Sequence, residues 1–407
     1  MQPQRPERMY SVEPTPTKPV PERERTPTGY SDRVFTGALS QLTQPLGQES
    51  ADQRQSDLWQ RLEQARVSRV ETTPSDSSSL LLYRLEAFLH KSIQLFQEQH
   101  GLDYEFANEF QLFYIKHIET LLSKGDLSHE AFALWLRDLS SMSRTGEYDR
   151  LIRNPQPVDQ STLKDADHFY RGNLVRLVEV AKQSFDLRDE QPDFRLFGID
   201  KVPIVTGRLY FSANLAGEPH YLLGDWYGSL YKTSNLEKVA YKAQSNLLTR
   251  RYDTLVAYID DRPEQRQVAA NYERILSQFA ELRHAKALAP QAMPTGLALA
   301  PGIAYAPEPL ELNYFLGLLA TNPVGQQPNS HQFESVSYNG LIAALTENAL
   351  ALAQASAPEA TQLDQIEPRA KQYFRELLKV SGIDPDSMTC LTLGGQLPGY
   401  VKKRLQK

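Results

Sequence analysis

Two segments of alternating and β-branched residues constrain the fold of this chain most strongly. In the first, which begins at Gly207, apolar residues alternate with polar ones (Leu209, Phe211 and Ala213 against Arg208, Tyr210 and Ser212). The second segment, from Tyr252 to Asp260, is rich in β-branched and aromatic residues. A period of two is typical of strands, since successive side chains point to opposite faces of a sheet. The two segments therefore predict a pair of strands within an α+β fold.

Arg208 and Tyr210 have two interpretations on the first of these strands. Polar positions of a half-buried strand face solvent by default, which would make both side chains ordinary surface groups. The alternative is an anion site, because the connection between the two strands is rich in cations (Lys232, Lys238, Lys242, Arg250 and Arg251). Two strands joined by a basic, aromatic loop can present a concave surface suited to an anion.

Residues 1–79 predict a disordered tail. They are rich in Pro, Gln, Arg, Ser, Thr and Glu, and hydrophobic residues make up only 41% of the whole chain. Such a segment cannot bury enough apolar surface to offset the entropy of ordering its backbone. One short helix is expected near Ser56–Arg66, and the tail is either a linker, a translocation signal or an arm that docks a partner.

Residues 80–190 predict a helical domain, a bundle of four amphipathic helices. Leu81, Leu85 and Phe88 begin a series of apolar residues at helical spacing, and Ser128 is a candidate N-cap for the third helix. The histidines of this region lack the spacing of a metal site, so no metal is expected.

Residues 191–407 predict an α+β domain with an antiparallel sheet and flanking helices. Beyond the two strands, we expect the following elements: a helix that starts at Asp260, a strand at Gly296–Ala300, a loop at Gly302–Pro309, and helices at Phe333–Ala355 and Ile366–Val380. Gly382 is the candidate C-cap of the last helix.

Composition excludes several classes of function. A net charge of −6 argues against nucleic-acid binding. The sequence has no run of 18 apolar residues, so no membrane span is expected. Cys390 is the only cysteine, has no histidine close in sequence, and is not expected to be a nucleophile. The sequence has no Walker loop and no Rossmann glycine pattern, and we expect no cofactor. The first residues lack the apolar core of a secretory signal, which favours a cytoplasmic location.

Six segments of the C-terminal half, spread over roughly residues 204–390, form a recognisable series: Gly207-Arg208-Leu209, Lys238-Val239, Tyr252–Ile259, Pro294–Ala300, Asn329-Ser330-His331 and Ser381–Pro385. In their order and spacing they resemble the HopA family of type III secretion effectors. Proteins with HopA-like domains also occur beside kinase-like enzymes that make lanthionine peptides, where the HopA-like partner is assigned the lyase step. The resemblance thus implies a partner kinase or, for an effector, a secretion chaperone and release by an injection system.

The strand pattern also resembles, more distantly, that of secreted phosphothreonine lyases. In those enzymes a Lys-x-His strand supplies catalytic groups, and the matching positions here are Arg208 and Tyr210. Arginine stays protonated and is a poor base but a good bidentate phosphate ligand. The resemblance therefore implies Lys238 as the base and Tyr210 or His331 as the acid. Arg208, Lys242, Arg250 and Arg251 are the candidate phosphate-binding residues. For His331 the alternative is a contact that caps its helix.

Two functions from different classes follow from these features. The first is a phosphoserine or phosphothreonine lyase that acts on a phosphorylated peptide or protein by β-elimination. The second is a non-catalytic effector or partner-binding protein. The cations and His331 favour the lyase, whereas the replacement of the Lys-x-His pair by Arg208 and Tyr210 favours the binding protein.

Overall fold

The structure is a computed structural model of the 407-residue chain. It describes residues 29–44, 49–71, 81–83, 85–86, 104–135, 194–197, 206–212, 240–244, 253, 255–259, 273, 276–277, 288–309, 338–391 and 396–406.

An antiparallel sheet of six strands forms the centre of the fold, in the order β1-β3-β4-β2-β6-β5. Its strands are β1 (Phe194–Phe197), β2 (Gly207–Phe211), β3 (Ala240–Gln244), β4 (Leu255–Ile259), β5 (Leu297–Ala300) and β6 (Ile303–Pro307). Every neighbouring pair in this order runs antiparallel. A two-stranded hairpin, β7 (Ile383–Asp384) with β8 (Thr389–Cys390), lies further along the chain.

Six helices are bounded within the described ranges: α1 (Tyr30–Thr43), α2 (Ala51–Glu71), α3 (Tyr104–Ser123), α4 (Tyr338–Ser356), α5 (Leu363–Val380) and α6 (Gly399–Leu405). A capping box between Gln362 and Gln365 starts α5. Gly382 follows its end at a φ of +77°, a conformation that glycine adopts without steric cost. The C-cap itself is Ser381, one residue before the predicted one, and the N–H of Gly382 donates to the carbonyl of Lys379 at 2.9 Å.

Helix α4 lies at the centre of the helical layer. It contacts α1, α2 and α5 and is buried along nearly its whole length, as expected of a helix without a polar face. Helix α1 packs on α5, where the rings of Phe35 and Phe374 meet edge-on at 5.4 Å. The buried apolar residues of the helices and of the sheet form one continuous core.

The expected α+β class is confirmed, as are the two strands around Arg208 and Tyr258 and the strand ending at Ala300. The predicted loop at Gly302–Pro309 is wrong, because residues Ile303–Pro307 form strand β6 and pair with β2. The strand is apolar and buried along its whole length, it follows a tight turn at Gly302, and Pro301 and Pro307 stand at its two ends. The cation-rich connection between β2 and β4 is also not all loop, since it contains β3.

The prediction that the folded part begins near Leu80 is wrong. Helix α1 and helix α2 precede that residue, and both contribute fully buried side chains to the core, such as Phe35 and Leu58. Each helix packs through a few apolar residues, and its buried side chains also include polar ones, namely Ser31 and Gln41 on α1 and Arg54 on α2. The short helix expected near Ser56–Arg66 lies within α2 and is confirmed. Residues 1–28 of the predicted tail lie outside the described residues.

The helical region predicted at residues 80–190 is described only in part. Helix α3 and a helical segment at residues 129–135 are present, and the hydroxyl of Ser128 accepts a hydrogen bond from the backbone of Ala131 at 3.1 Å. This contact confirms Ser128 as an N-cap. The indole of Trp135 donates to the hydroxyl of Ser381, just after α5, at 3.3 Å. Residues 81–83 and 85–86 of the first predicted helix are helical, and Leu81 and Leu85 are buried there. The rest of the predicted bundle lies outside the described residues.

Candidate functional site

The candidate site lies on strand β2, which is an interior strand between β4 and β6. All five of its residues are buried. Arg208 and Tyr210 are two residues apart and therefore share one face of the sheet. The expectation that they face solvent is wrong, because only 6% of Arg208 and 2% of Tyr210 are exposed.

Arg208 forms an ion pair with Glu308 inside the protein. Its Nε and Nη2 atoms donate to the two carboxylate oxygens of Glu308, and the two side chains are 7% and 3% exposed. Glu308 follows β6 directly, and its backbone N–H donates to the carbonyl of Thr206 at 2.9 Å. Two parallel hydrogen bonds between a guanidinium and a carboxylate make one of the strongest polar contacts in proteins.

The ring of Tyr258 completes the surroundings of Arg208. Tyr258 is directly opposite Arg208 in the β2–β4 pair, and its ring centre lies 5.1 Å from the guanidinium carbon. A cation over an aromatic face is attracted by the ring quadrupole. Burial by itself lowers the pKa of Arg208, but the carboxylate of Glu308 reverses this effect, so the pKa of Arg208 is raised well above its ordinary value. The guanidinium is therefore always charged and cannot act as a base.

The hydroxyl of Tyr210 contrasts with that of the neighbouring Tyr338. The two rings lie 6.4 Å apart, and the Tyr338 hydroxyl donates to the carbonyl of Thr295 at 2.8 Å. The Tyr210 hydroxyl is equally buried, yet it has no hydrogen-bond partner in the part of the chain that the structure describes. Burial raises the pKa of Tyr210 far above its ordinary value, and the nearby charge of Arg208 offsets only part of this effect. Tyr210 therefore remains protonated at any physiological pH.

The hairpin β7–β8 reaches the same strand through Cys390. This buried thiol lies 2.9 Å from the carbonyl oxygen of Glu308 and 3.4 Å from that of Thr206, and it donates to them. The thiol is thus engaged with the backbone at the end of β2, which agrees with the expectation that it is not a nucleophile.

The structure describes only some of the predicted site residues. Position 242 lies on β3 opposite Val256, and Val256 lies opposite Tyr210, so the backbone register places Lys242 in the same row of the sheet as Tyr210. Two strand spacings separate these positions, roughly 10 Å. Lys238, Arg250, Arg251 and His331 lie outside the described residues. Their predicted convergence with Arg208 on a phosphate stays a prediction.

Glu308 is a site residue that the sequence did not predict, because it lies 100 residues beyond Arg208 and follows a segment that resembles a loop. One signal was available: an arginine on a strand flanked by Leu209 and apolar neighbours requires a carboxylate if both faces of that strand are buried. No cluster of three His, Cys, Asp or Glu side chains that could hold a metal occurs among the described residues. Nor is any of the described helices long and apolar enough to cross a membrane.

Comparisons with known proteins found no match for this chain among protein-family models, curated proteins or solved structures.

Proposed function

We propose that the chain is a HopA-like protein with a phosphoserine or phosphothreonine lyase-like domain that acts on a phosphorylated peptide or protein. The observation that supports this proposal is the spatial order of the segments that carry the resemblance. The Gly207-Arg208-Leu209 segment lies on β2, and the Tyr252–Ile259 segment contains β4, which pairs with it. The Pro294–Ala300 segment contains β5, which is separated from β2 only by β6.

The last segment of the resemblance is linked to the residue before β2 through its paired strand. Ser381–Pro385 contains β7, and Cys390 on the paired strand β8 donates to the backbone of Thr206. Segments far apart in the chain therefore surround one strand. An arrangement of this kind is expected of a site assembled by the fold, and for that reason it supports the proposal.

The proposed chemistry is β-elimination. A base removes the proton from Cα, the electrons of that bond form the Cα=Cβ double bond, and the Cβ–O bond breaks to release phosphate, which takes up a proton. In this proposal Lys238 is the base. His331 is preferred to Tyr210 as the acid, because a tyrosine whose pKa is raised by burial gives up its proton poorly. Lys242, Arg250 and Arg251 hold the phosphate, since the guanidinium fork of Arg208 is occupied by Glu308.

A second function is favoured by the Arg208–Glu308 pair itself. The two positions that match the catalytic Lys-x-His strand of the lyases are both interior, and the charge of Arg208 is already balanced by a carboxylate. These features suit a structural strand in a non-catalytic effector or partner-binding protein. Such a protein would keep the HopA-like fold and bind its partner without changing it chemically.

Mass spectrometry of phosphopeptides separates the two functions. The full chain is incubated with phosphothreonine and phosphoserine peptides. Loss of phosphoric acid that leaves a dehydro residue able to add a thiol supports the lyase, whereas loss of phosphate with a restored hydroxyl would indicate a phosphatase. Lys238→Met should abolish elimination, and Lys124→Met, at an exposed turn, is the matched control that should retain it. Binding with no change of mass would support the partner-binding protein instead.

A further inference from the structure

A buried hydroxyl without a partner is costly to keep. Removing a tyrosine hydroxyl from water without replacing its hydrogen bonds destabilises a protein, and native structures rarely tolerate such groups without a reason. Phenylalanine at position 210 of β2 would fill nearly the same volume without this penalty. Within the described ranges, the Tyr210 hydroxyl meets no acceptor.

The charges around Tyr210 indicate what its hydroxyl can bind. The largest charge effect on it comes from Arg208, and the two-point ion pair with Glu308 balances that cation. A balanced pair attracts an anion weakly, so it does not favour phosphate over a neutral group at this hydroxyl. The hydroxyl also remains protonated, so it offers a hydrogen to an acceptor. The group that suits it best is a neutral oxygen acceptor, of which the peptide carbonyl is the commonest in proteins.

We propose that Tyr210 is a ligand-binding residue whose hydroxyl donates a hydrogen bond to a main-chain carbonyl of the bound peptide. The inference rests on the proposed function for its ligand, a peptide, but it needs no elimination chemistry. It separates two roles on the sheet: Tyr210 binds the peptide backbone, and the phosphate is bound by cations elsewhere. Since Tyr210 is 2% exposed, the carbonyl reaches it only after a local opening, and association is expected to be slow.

Tyr210→Phe and Tyr338→Phe form a matched pair of variants for the test. Each variant removes one buried hydroxyl, and the two rings are neighbours. Of the two hydroxyls, the one on Tyr338 has an acceptor among the described residues, the carbonyl of Thr295. Thermal unfolding of the full chain without peptide should show an unchanged or higher Tm for Tyr210→Phe and a lower Tm for Tyr338→Phe. A lower Tm for Tyr210→Phe would overturn the proposal, since its hydroxyl would then have a structural role.

The second measurement uses phosphothreonine and phosphoserine peptides and the same peptides without phosphate. Each peptide that raises the Tm of the unmodified protein should raise that of Tyr338→Phe equally and that of Tyr210→Phe less, with a weakening of about tenfold in Kd for one lost hydrogen bond. An equal shift in Tyr210→Phe, or no shift of the unmodified protein with any peptide, would overturn the proposal. Binding without elimination would contradict only the lyase, whereas elimination that Tyr210→Phe leaves unchanged would contradict only the role of Tyr210.

Discussion

Arg208 on β2 and Glu308 at the end of β6 form a two-point ion pair that is almost completely closed off from water. The pair joins two adjacent strands of the sheet, and the backbones of Thr206 and Glu308 are hydrogen-bonded beside it. Burying two charges costs free energy, which good geometry and hydrogen bonds repay. The cost becomes uncompensated when one partner is removed.

Glu308→Gln should therefore lower the free energy of unfolding by roughly 3–5 kcal/mol, because it leaves the charge of Arg208 buried and unpaired. Urea unfolding followed by circular dichroism measures this change. The double variant Arg208→Met with Glu308→Leu should recover most of the loss, since it removes both charges and keeps apolar volume. If the double variant lost as much stability as Arg208→Met and Glu308→Leu lose together when each is measured alone, the two residues would not act as a pair.

The contact between α1 and the turn before β5 gives a second prediction. A Cβ atom at Gly37 would lie 2.5 Å from the carbonyl oxygen of Pro294, closer than packed atoms can approach. Gly37→Ala should lower the free energy of unfolding by a net amount of about 1–2 kcal/mol, because the steric cost exceeds the gain in helix propensity of about 1 kcal/mol. Denaturant unfolding of the full chain measures it.

Gly399→Ala is the control for this variant. Gly399 is also a helical glycine, at the start of α6, but a Cβ there would meet no atom within 4 Å. Its free energy of unfolding should change by less than about 0.5 kcal/mol. A stabilised Gly37→Ala would mean that α1 does not pack on Pro294, contrary to the burial of Val34, Phe35 and Ala38.

His117 on α3 gives a prediction for the dependence of stability on pH. Burial lowers the pKa of His117 below its ordinary value, and the cation of Lys379, which is paired with Glu376, lowers it further, while a hydrogen bond to the backbone of Lys379 opposes both effects. The unfolded state therefore binds a proton more readily than the folded state. The contribution of His117 is fully present above the unfolded pKa of about 6.5 and is lost as the pH falls through the lower folded pKa.

His117→Gln should accordingly lose less stability than the unmodified protein when the pH is lowered from neutral to about 5. Urea midpoints at a series of pH values measure this difference. His129→Gln is the control, because His129 is exposed on the helical segment at residues 129–135. Equal pH dependence in His117→Gln and the unmodified protein would show that His117 does not contribute.

The sequence determined the elements whose signals are local. The period of two around Leu209 predicted β2, and Ser128 predicted a helix start, because a capping side chain and an alternating pattern act over a few residues. Gly382 is another case, since a helix end requires a residue that tolerates positive φ. The α+β class follows from these elements together.

The tertiary structure decided which faces are buried and which residues meet. Nothing local in the sequence marks both faces of β2 as interior, because burial depends on β4 and β6 on either side and on the layers that cover the sheet. The partner of Arg208 lies 100 residues away, directly after a strand whose flanking prolines resemble those of a loop. Helices α1 and α2 have too few apolar residues to be stable alone, and they fold because α4 and α5 provide the surface that buries Phe35 and Leu58. The arrangement of charges and hydroxyls around Tyr210 is therefore a product of long-range packing, which a local pattern of residues cannot encode.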